Sequence, residues 1–114
     1  MKKNSDNNTN SKKSNLSSSK ISNLKNRKDE AKLGGGAARQ EAQHSKGKKL
    51  ARERLSLLFD NGQFTEIDPF VKHNSSDFGL DKTRIDGDSV ICGYGNVHGQ
   101  QVFAFSQDFT VLGG

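Results

Sequence analysis

The cations Lys46, Lys48, Lys49 and Arg52 are the residues whose types and spacing most clearly suggest chemistry. Cations that converge near the start of a helix can hold a phosphate group, because the helix also directs backbone N–H groups toward the anion. The alternative is a solvated helix face with no ligand. A Walker A loop is excluded, since that motif requires Gly at the position of Ala42 and Ser or Thr at the position of Lys49. A solvated helix face is the default interpretation of such a group, and phosphate contact without a Walker motif is the functional one.

Catalytic side chains have little support from their spacing. The three histidines, His44, His73 and His98, stand alone, with no HxxxH or HxxE arrangement, so no metal site is predicted. The single cysteine, Cys92, cannot form a disulfide within the chain or a Cys-cluster zinc site, and this usage is typical of a reducing compartment. Strand alternation points Ser106 and Asp108 the same way, but no base accompanies them as a nucleophile would need. We assign no catalytic residue and no metal ligand to this sequence.

The basic charge lies in an amino-terminal tail. Residues 1–36 contain nine Lys or Arg and three acids, a net charge of +6, whereas residues 37–114 contain nine and ten, a net charge of −1. Residues 1–20 are mostly Asn, Ser and Lys, which bury too little apolar surface to offset the entropy of ordering. No apolar run approaches the roughly 18 residues of a membrane span. We expect a disordered tail at residues 1–20, the start of a folded domain at residues 21–114, and no membrane partner.

Three helices are predicted before residue 60. They cover residues 21–31, 37–45 and 50–59, with Gly34-Gly35-Gly36 and Gly47 as the breaks. In the third, at about 100° per residue, Ala51, Leu55 and Leu58 form an apolar stripe that is flanked by Phe59. Arg54 falls inside this stripe, so its side chain must extend to solvent or find a partner.

The period of the apolar residues changes to two beyond residue 62, which indicates strands. Strands are predicted at residues 64–67, 89–97 and 102–105, the last two joined as a hairpin at His98-Gly99. Gly93-Tyr94-Gly95 lies inside a strand, which favours close-packing glycines over a dinucleotide motif. Val102-Phe103-Ala104-Phe105 is apolar on both faces and indicates a strand covered on both sides. Two strands and short helices cannot provide both layers, so we expect them to come from residues outside this sequence.

Several motifs, in order and at matching spacing, resemble the amino terminus of one enzyme family. They are Gly34-Gly35-Gly36, Gln43-His44-Ser45-Lys46-Gly47-Lys48, Ala51-Arg52-Glu53-Arg54-Leu55, Phe64-Thr65-Glu66-Ile67-Asp68, Ser76-Asp77-Phe78-Gly79, Gly87-Asp88, Gly93-Tyr94-Gly95, and Phe105-Ser106-Gln107-Asp108-Phe109-Thr110-Val111-Leu112-Gly113-Gly114. The family is the carboxyltransferase β subunit of biotin-dependent acyl-CoA carboxylases, of the propionyl-CoA carboxylase type. The resemblance covers about residues 21–114 and leaves the Asn, Ser and Lys tail outside it.

The resemblance implies an incomplete crotonase-like α/β fold, with amino-terminal helices followed by the first strands of the sheet. It implies transfer of a carboxyl group from carboxybiotin to the α-carbon of propionyl-CoA or a similar acyl-CoA. Biotin would be carried by a biotin carboxylase and biotin-carrier partner, and the complete β subunits would form a homo-oligomer. The family's oxyanion holes lie further along its chain, so we expect this chain to be inactive alone.

The resemblance also suggests which residues contact the substrate. Lys46, Lys48 and Arg52 would lie near the CoA phosphates, and Gly113 and Gly114 would border the acyl-CoA groove. The sequence departs from the family at Lys49-Leu50, where the usual pattern is Leu-Thr. Because Leu cannot accept a hydrogen bond, the capping box that Thr and Glu53 would form is broken, and the third helix should begin less stably.

Other interpretations start from the charge rather than the resemblance. A basic tail and helix could bind nucleic acid or an anionic surface, although the tail has no interleaved aromatic residues and residues 37–114 are slightly acidic. The chain could also be an interaction fragment that docks on an intact carboxyltransferase. A Lys-rich, Ser-rich tail favours a bacterial cytoplasm over a mitochondrial matrix, because transit peptides favour Arg.

Overall fold

The computed structural model describes residues 7–74 and 76–114, and for residues 7–15 and 81 it describes the backbone alone. The described helices are α1 (Asn7–Lys32), α2 (Ala37–His44) and α3 (Ala51–Leu58), with short 3-10 segments at Asp60–Gly62 and Asp77–Lys82. The strands are β1 (Thr65–Ile67), β2 (Val90–Val97) and β3 (Gln100–Gln107), and they form one sheet in the order β1-β2-β3.

Helix α1 differs from the predicted disordered tail. It begins at Asn7 and runs through residue 20 to Lys32, while the first six residues lie outside the described part. Its apolar side chains stay exposed, with Leu16 at 61% and Ile21 at 56% of their free surface. Residues 16–20 are all exposed, and the helix satisfies its backbone groups locally, which requires no core. The domain boundary at residue 21 therefore stays a prediction.

Helices α2 and α3 confirm the predicted helical segments, but the predicted position of Leu58 in the buried apolar stripe is wrong. Ala51, Leu55 and Phe59 are almost fully buried, at 4%, 2% and 3% exposure, whereas Leu58 is 45% exposed. Phe59 follows the helix with extended dihedrals, φ −83° and ψ 147°, so helical periodicity does not determine where its ring points. The ring turns into the core and takes the place predicted for Leu58.

The start of α3 has half of a capping box. The Leu50 N–H donates to Oε2 of Glu53 at 2.7 Å, and Leu50 offers no side-chain acceptor in return. Leu50→Thr is therefore expected to raise the free energy of unfolding by about 1 kcal/mol, since the hydroxyl can accept the N–H of residue 53. Leu50→Val is the matched control, because valine has the shape of threonine without its acceptor. Equal urea midpoints for the two variants would contradict the capping explanation.

Strands β2 and β3 form the predicted hairpin at His98-Gly99. Both turn residues have positive φ, 51° and 78°, as a tight type I′ turn requires. The Asp60 carboxylate accepts from the backbone N–H groups of His98 at 3.0 Å and Gly99 at 2.9 Å. Asp60, which begins the short segment after α3, thereby fastens the hairpin to the helical layer.

The carboxyl group of Asp60 makes the fold sensitive to acid. Hydrogen bonds from the Gly99 and His98 N–H groups hold the pKa of Asp60 below its ordinary value of 3.8. Because the folded-state pKa is the lower one, this stabilisation is present above the unfolded pKa and is lost as the pH falls through the folded value. We expect Asp60→Asn to be less stable than wild type at neutral pH, with the difference shrinking below about pH 4. Urea unfolding across that range measures it, and a constant difference would contradict it.

The two faces of the sheet differ in cover. On the inner face Ile91 packs with α3, and added Cβ atoms at Gly93 and Gly95 would lie 2.7 Å from Phe64 Cδ2 and 2.9 Å from Phe59 Cδ1. The glycines therefore serve close packing, as predicted. On the outer face Phe103 and Phe105 are 69% and 77% exposed. The described residues thus cover one face of β3, and cover of the other face, expected from residues outside this sequence, stays a prediction.

Candidate functional site

Three cations and an aromatic ring surround a cavity of about 420 Å³ beside α3. The lining residues are Gln43, Lys48, Lys49, Arg54 and Phe109, and we call this set the cation surface. Lys48 and Lys49 lie on the loop between α2 and α3, where Gly47 has a φ of +70° and the Lys48 N–H donates to the Gln43 carbonyl oxygen at 3.1 Å. The loop, α3 and the segment after β3 thus each contribute part of this surface.

The cation surface is strongly positive. Its lining contains three cations and no acid, and within the described ranges none of the three forms an ion pair. The acid at the helix start, Glu53, accepts from the Leu50 N–H and contacts His44 Nε2 at 3.0 Å; these contacts, in that order, lower its pKa, and the positive charge of Lys49 lowers it further. Arg54, whose placement the sequence left open, is exposed and belongs to this surface. Such a surface suits an anion with several charges.

Arg52 is occupied by a protein carboxylate. Its Nη1 and Nη2 atoms donate to Oε2 and Oε1 of Glu66 at 2.7 and 3.1 Å, and the two side chains are 27% and 20% exposed. This pair joins α3 to β1. The spacing predicts that Arg52 is a free cation like its neighbours, but its guanidinium group is paired with Glu66. Lys46 is exposed and lines neither the cation surface nor the neighbouring cavity that contains Lys48 and Arg52.

Replacing the guanidinium group of Arg52, which forms two hydrogen bonds with Glu66, tests its structural role. Arg52→Lys is expected to lower the free energy of unfolding by about 2 kcal/mol, because an ammonium group cannot form two parallel hydrogen bonds with Glu66. Arg54→Lys, at an exposed position on the same helix, is the control and should change stability little. Urea unfolding measures both, and equal effects would contradict the assigned role.

Of the two predicted glycines, Gly113 and Gly114, the second lies against the Phe109 ring, which belongs to the cation surface. Both have positive φ, +84° and +101°, and a Cβ added at Gly114 would lie 2.8 Å from Phe109 Cδ1. Phe109 itself lines the cation surface and is 51% exposed. Gly114 also borders a cavity of about 460 Å³ with Ser89, Val90 and Phe105 among its lining residues. The structure therefore brings Lys48 and Gly114 close to the same ring, while a Cβ added at Gly113 would meet open space.

The triple glycine is a packing contact that the sequence did not reveal. The Gly35 N–H donates to Thr110 Oγ1 at 3.0 Å, and Arg39 Nη1 donates to the Thr110 carbonyl oxygen at 3.2 Å. Asp108 Oδ1 accepts from the Thr110 hydroxyl at 2.6 Å and from its N–H at 2.9 Å. These bonds fix the loop that carries Phe109. One sequence signal existed: three consecutive glycines exceed what a helix stop requires.

Other chemistry-bearing groups do not converge. Across residues 7–74 and 76–114, no three His, Cys, Asp or Glu side chains are close enough together to hold a metal ion. Over the same stretch, none of the helices has the length and apolar character needed to cross a membrane. Ser106 is buried, and its hydroxyl has no hydrogen-bond partner among these residues.

Solved structures define the class of this fold. The chain superposes on transcarboxylase 12S, crystallised as a hexamer with methylmalonyl-coenzyme A bound, with a TM-score of 0.80 and 43% sequence identity. The match covers 84% of this chain and 19% of that one. The predicted crotonase-like α/β class, with amino-terminal helices followed by strands, is confirmed.

Sequence comparisons identify the family. Residues 42–114 match the carboxyl transferase domain. The propionyl-CoA carboxylase β chain of Cereibacter sphaeroides is 53% identical over 91 residues, which are 80% of this chain and 18% of that protein. Methylmalonyl-CoA decarboxylase subunit alpha of Propionigenium modestum is 52% identical over 99 residues, 87% of this chain and 19% of the relative. The chain belongs to the carboxyl transferase domain family, as the resemblance predicted, and spans just under a fifth of the length of these relatives.

Proposed function

We propose that this chain forms the acyl-CoA-contacting amino-terminal part of a biotin-dependent carboxyltransferase that acts on propionyl-CoA or a similar acyl-CoA. The observation that carries the proposal is its 53% identity to a propionyl-CoA carboxylase β chain. The position of Lys48 and Gly114 around Phe109 supports it, since cations and a glycine turn beside an aromatic ring suit a phosphorylated, extended thioester. In this proposal Lys46, Lys48 and the Gly113-Gly114 turn contact acyl-CoA, and Arg52 acts through Glu66 on the fold.

The reaction sets what the chain must supply. A base removes a proton from the α-carbon of the thioester, and the resulting carbanion forms a bond to the carboxyl carbon. The bond between that carbon and the ureido nitrogen of carboxybiotin would break, with the nitrogen keeping the electron pair and then taking up a proton. The enolate oxygen needs preorganised N–H donors, which we assign to parts of a complete subunit beyond residue 114. Bound biotin would supply the carboxyl group. The cations and glycines are assigned to phosphate and backbone contacts with acyl-CoA, so no described residue is assigned to biotin.

A chimera tests the proposed function. The matching segment of the Cereibacter sphaeroides β chain is replaced by the corresponding residues of this chain, and carboxylation of propionyl-CoA is measured with the rest of the complex present. We expect activity within about tenfold of the parent, because half of the residues are identical. A chimera that assembles and unfolds like the parent but does not carboxylate would overturn the proposal. A chimera with Gly35→Val provides the inactive control.

Partners and location follow from the same proposal. We infer a biotin carboxylase and biotin-carrier partner and a homo-oligomer of complete β subunits; the transcarboxylase 12S relative is a hexamer. The relatives include bacterial proteins and a human protein named as mitochondrial, and we favour a bacterial cytoplasm. Co-purification of a biotinylated protein with the chimera, detected with streptavidin, checks the partner.

A further inference from the structure

We propose that Thr110 is a positioning residue for the proposed reaction, because it holds the Gly113-Gly114 turn in one conformation. This inference rests on the proposed function, in which the turn contacts acyl-CoA, and it names the side chain that sets where the turn lies. Thr110 is 4% exposed, so it contacts other parts of the chain and acts on the substrate only through the turn.

Every polar group of Thr110 has a hydrogen-bond partner. Its hydroxyl accepts from the Gly35 N–H at 3.0 Å and donates to Asp108 Oδ1 at 2.6 Å. Its N–H donates to the same Asp108 oxygen at 2.9 Å, and its carbonyl oxygen accepts from Arg39 Nη1 at 3.2 Å. A hydroxyl can donate and accept at once, and here both capacities are used. Thr110 therefore joins the triple glycine and α2 to the segment that follows β3.

The backbone after Thr110 has a conformation that needs external support. It is left-handed at three consecutive residues, with φ of 51° at Leu112, 84° at Gly113 and 101° at Gly114. Glycine adopts such angles readily, whereas a strained leucine persists only where its surroundings determine its conformation. The Gly114 N–H donates to the Val111 carbonyl oxygen at 2.9 Å and closes the turn. The turn thus depends on a fixed backbone at positions 110 and 111.

A second hydroxyl fixes the same segment from the side of the sheet. Ser89, which precedes β2, donates from Oγ to the Val111 carbonyl oxygen at 2.9 Å, and its own carbonyl oxygen accepts from the Asp108 N–H at 2.7 Å. Val111 is also 1% exposed, so its side chain is anchored in the interior. Removing the hydroxyl of Thr110 should therefore release the segment from the helices while the sheet side stays attached. The expected result is a displaced turn in a folded chain.

A purely structural role for Thr110 is the alternative. It predicts a less stable chain, with an unchanged turn and unchanged substrate kinetics in the molecules that remain folded. Thr110→Val separates the two roles, because valine has the shape of threonine but neither donates nor accepts a hydrogen bond, and Thr110→Ser keeps the hydroxyl. Thr65→Val is the matched control, since it makes the same change at an exposed residue of β1, outside the 108–114 segment.

Amide hydrogen exchange of the whole chain, followed by NMR, measures the turn directly. Thr110→Val is expected to speed exchange of the Gly114 amide by about tenfold or more, because its acceptor on Val111 is no longer fixed, whereas Thr110→Ser and Thr65→Val should stay within about twofold of wild type. The amides of the β2–β3 pair should keep their rates in all three variants. An unchanged Gly114 rate in Thr110→Val would overturn the proposal, as would equal acceleration at Gly114 and in the β2–β3 pair.

A second variant keeps the test decisive if Thr110→Val does not fold. Arg39→Met removes only the donor to the Thr110 carbonyl oxygen, at an exposed position of α2, and keeps an unbranched side chain. It should speed Gly114 exchange by about threefold, as the loss of one hydrogen bond predicts, with the β2–β3 pair unchanged. No change at Gly114 in Arg39→Met would then overturn the proposal.

The chimera measures the consequence for the reaction. There Thr110→Val is expected to raise KM for propionyl-CoA about fivefold with kcat within about twofold, because a contact made equally in the ground and transition states changes KM alone. Thr110→Ser should restore KM, and Thr65→Val should leave both constants unchanged. If the chimera carboxylates propionyl-CoA and Thr110→Val leaves KM unchanged, the positioning role is wrong although the proposed function stands. If the chimera is inactive while Thr110→Val still speeds exchange at Gly114 alone, Thr110 holds the turn and the proposed function is wrong.

Discussion

Replacing Gly35 with alanine is expected to lower the free energy of unfolding by about 3 kcal/mol or more. An added Cβ would overlap the carbonyl oxygen and the carbonyl carbon of Thr110. Both atoms belong to backbone, so no rotamer change relieves the overlap, and the triple glycine must separate from the loop. The hydrogen bond from Gly35 to Thr110 is then lost as well. Urea unfolding followed by circular dichroism measures the change.

The neighbouring glycine provides the control for this prediction. Gly36 has a φ of 95° and a ψ of 162°, a conformation that is almost confined to glycine, and a Cβ added there would meet open space, so alanine introduces conformational strain of about 1–3 kcal/mol without a clash. Gly35→Ala should therefore be clearly more destabilising than Gly36→Ala. The reverse order would mean that the triple glycine is a helix stop and does not pack against the 108–111 loop.

The loss at Gly35 should extend to the cation surface. The loop that Gly35 contacts carries Phe109 and leads to Gly114. Because the same hydrogen bonds position the ring, a displaced loop would move Phe109 relative to the three cations even where the cations are intact. The packing of the triple glycine and the arrangement of the cation surface are thus connected through Thr110 and Phe109.

Local features could be predicted from the sequence and distant contacts could not. Helix α3 and the hairpin at His98-Gly99 follow from periodicity and turn chemistry, which act over a few residues. The pairs Gly35 with Thr110 and Arg52 with Glu66 are separated by 75 and 14 positions. No pattern in a single sequence links such residues. The partner of Arg52, Glu66, lies on another element, so the spacing of the cations alone could not show that Arg52 is paired.

The ring of Phe59 shows the same limit within one helix. A helical wheel places Leu58 in the stripe, but the chain leaves the helix at Phe59 and turns its ring inward. Residues 16–20 illustrate the opposite case, since their polar composition goes with exposed side chains and does not forbid a local helix. Amino-acid pattern determines what can be buried, and the point where a helix ends determines what is buried.

Phe59→Ala is expected to lower the free energy of unfolding by about 3–5 kcal/mol. The side chain is 3% exposed, and its ring stacks on Phe64 with centroids 5.5 Å apart. It packs in the cluster of Ala51, Leu55 and Ile91 that joins α3 to the sheet, so its loss leaves a cavity that this small core cannot close.

The control removes the same aromatic ring from the other side of the sheet. Phe105→Ala should change stability little, because that side chain is 77% exposed on the outer face. Urea unfolding of both variants gives the comparison. A large loss for Phe105→Ala would mean that the outer face is covered in solution, for example by a second copy of the chain, and concentration-dependent unfolding would then reveal it. A small loss for Phe59→Ala would mean instead that α3 is not anchored through this residue, and the position of the cation surface relative to Phe109 would lose its main support.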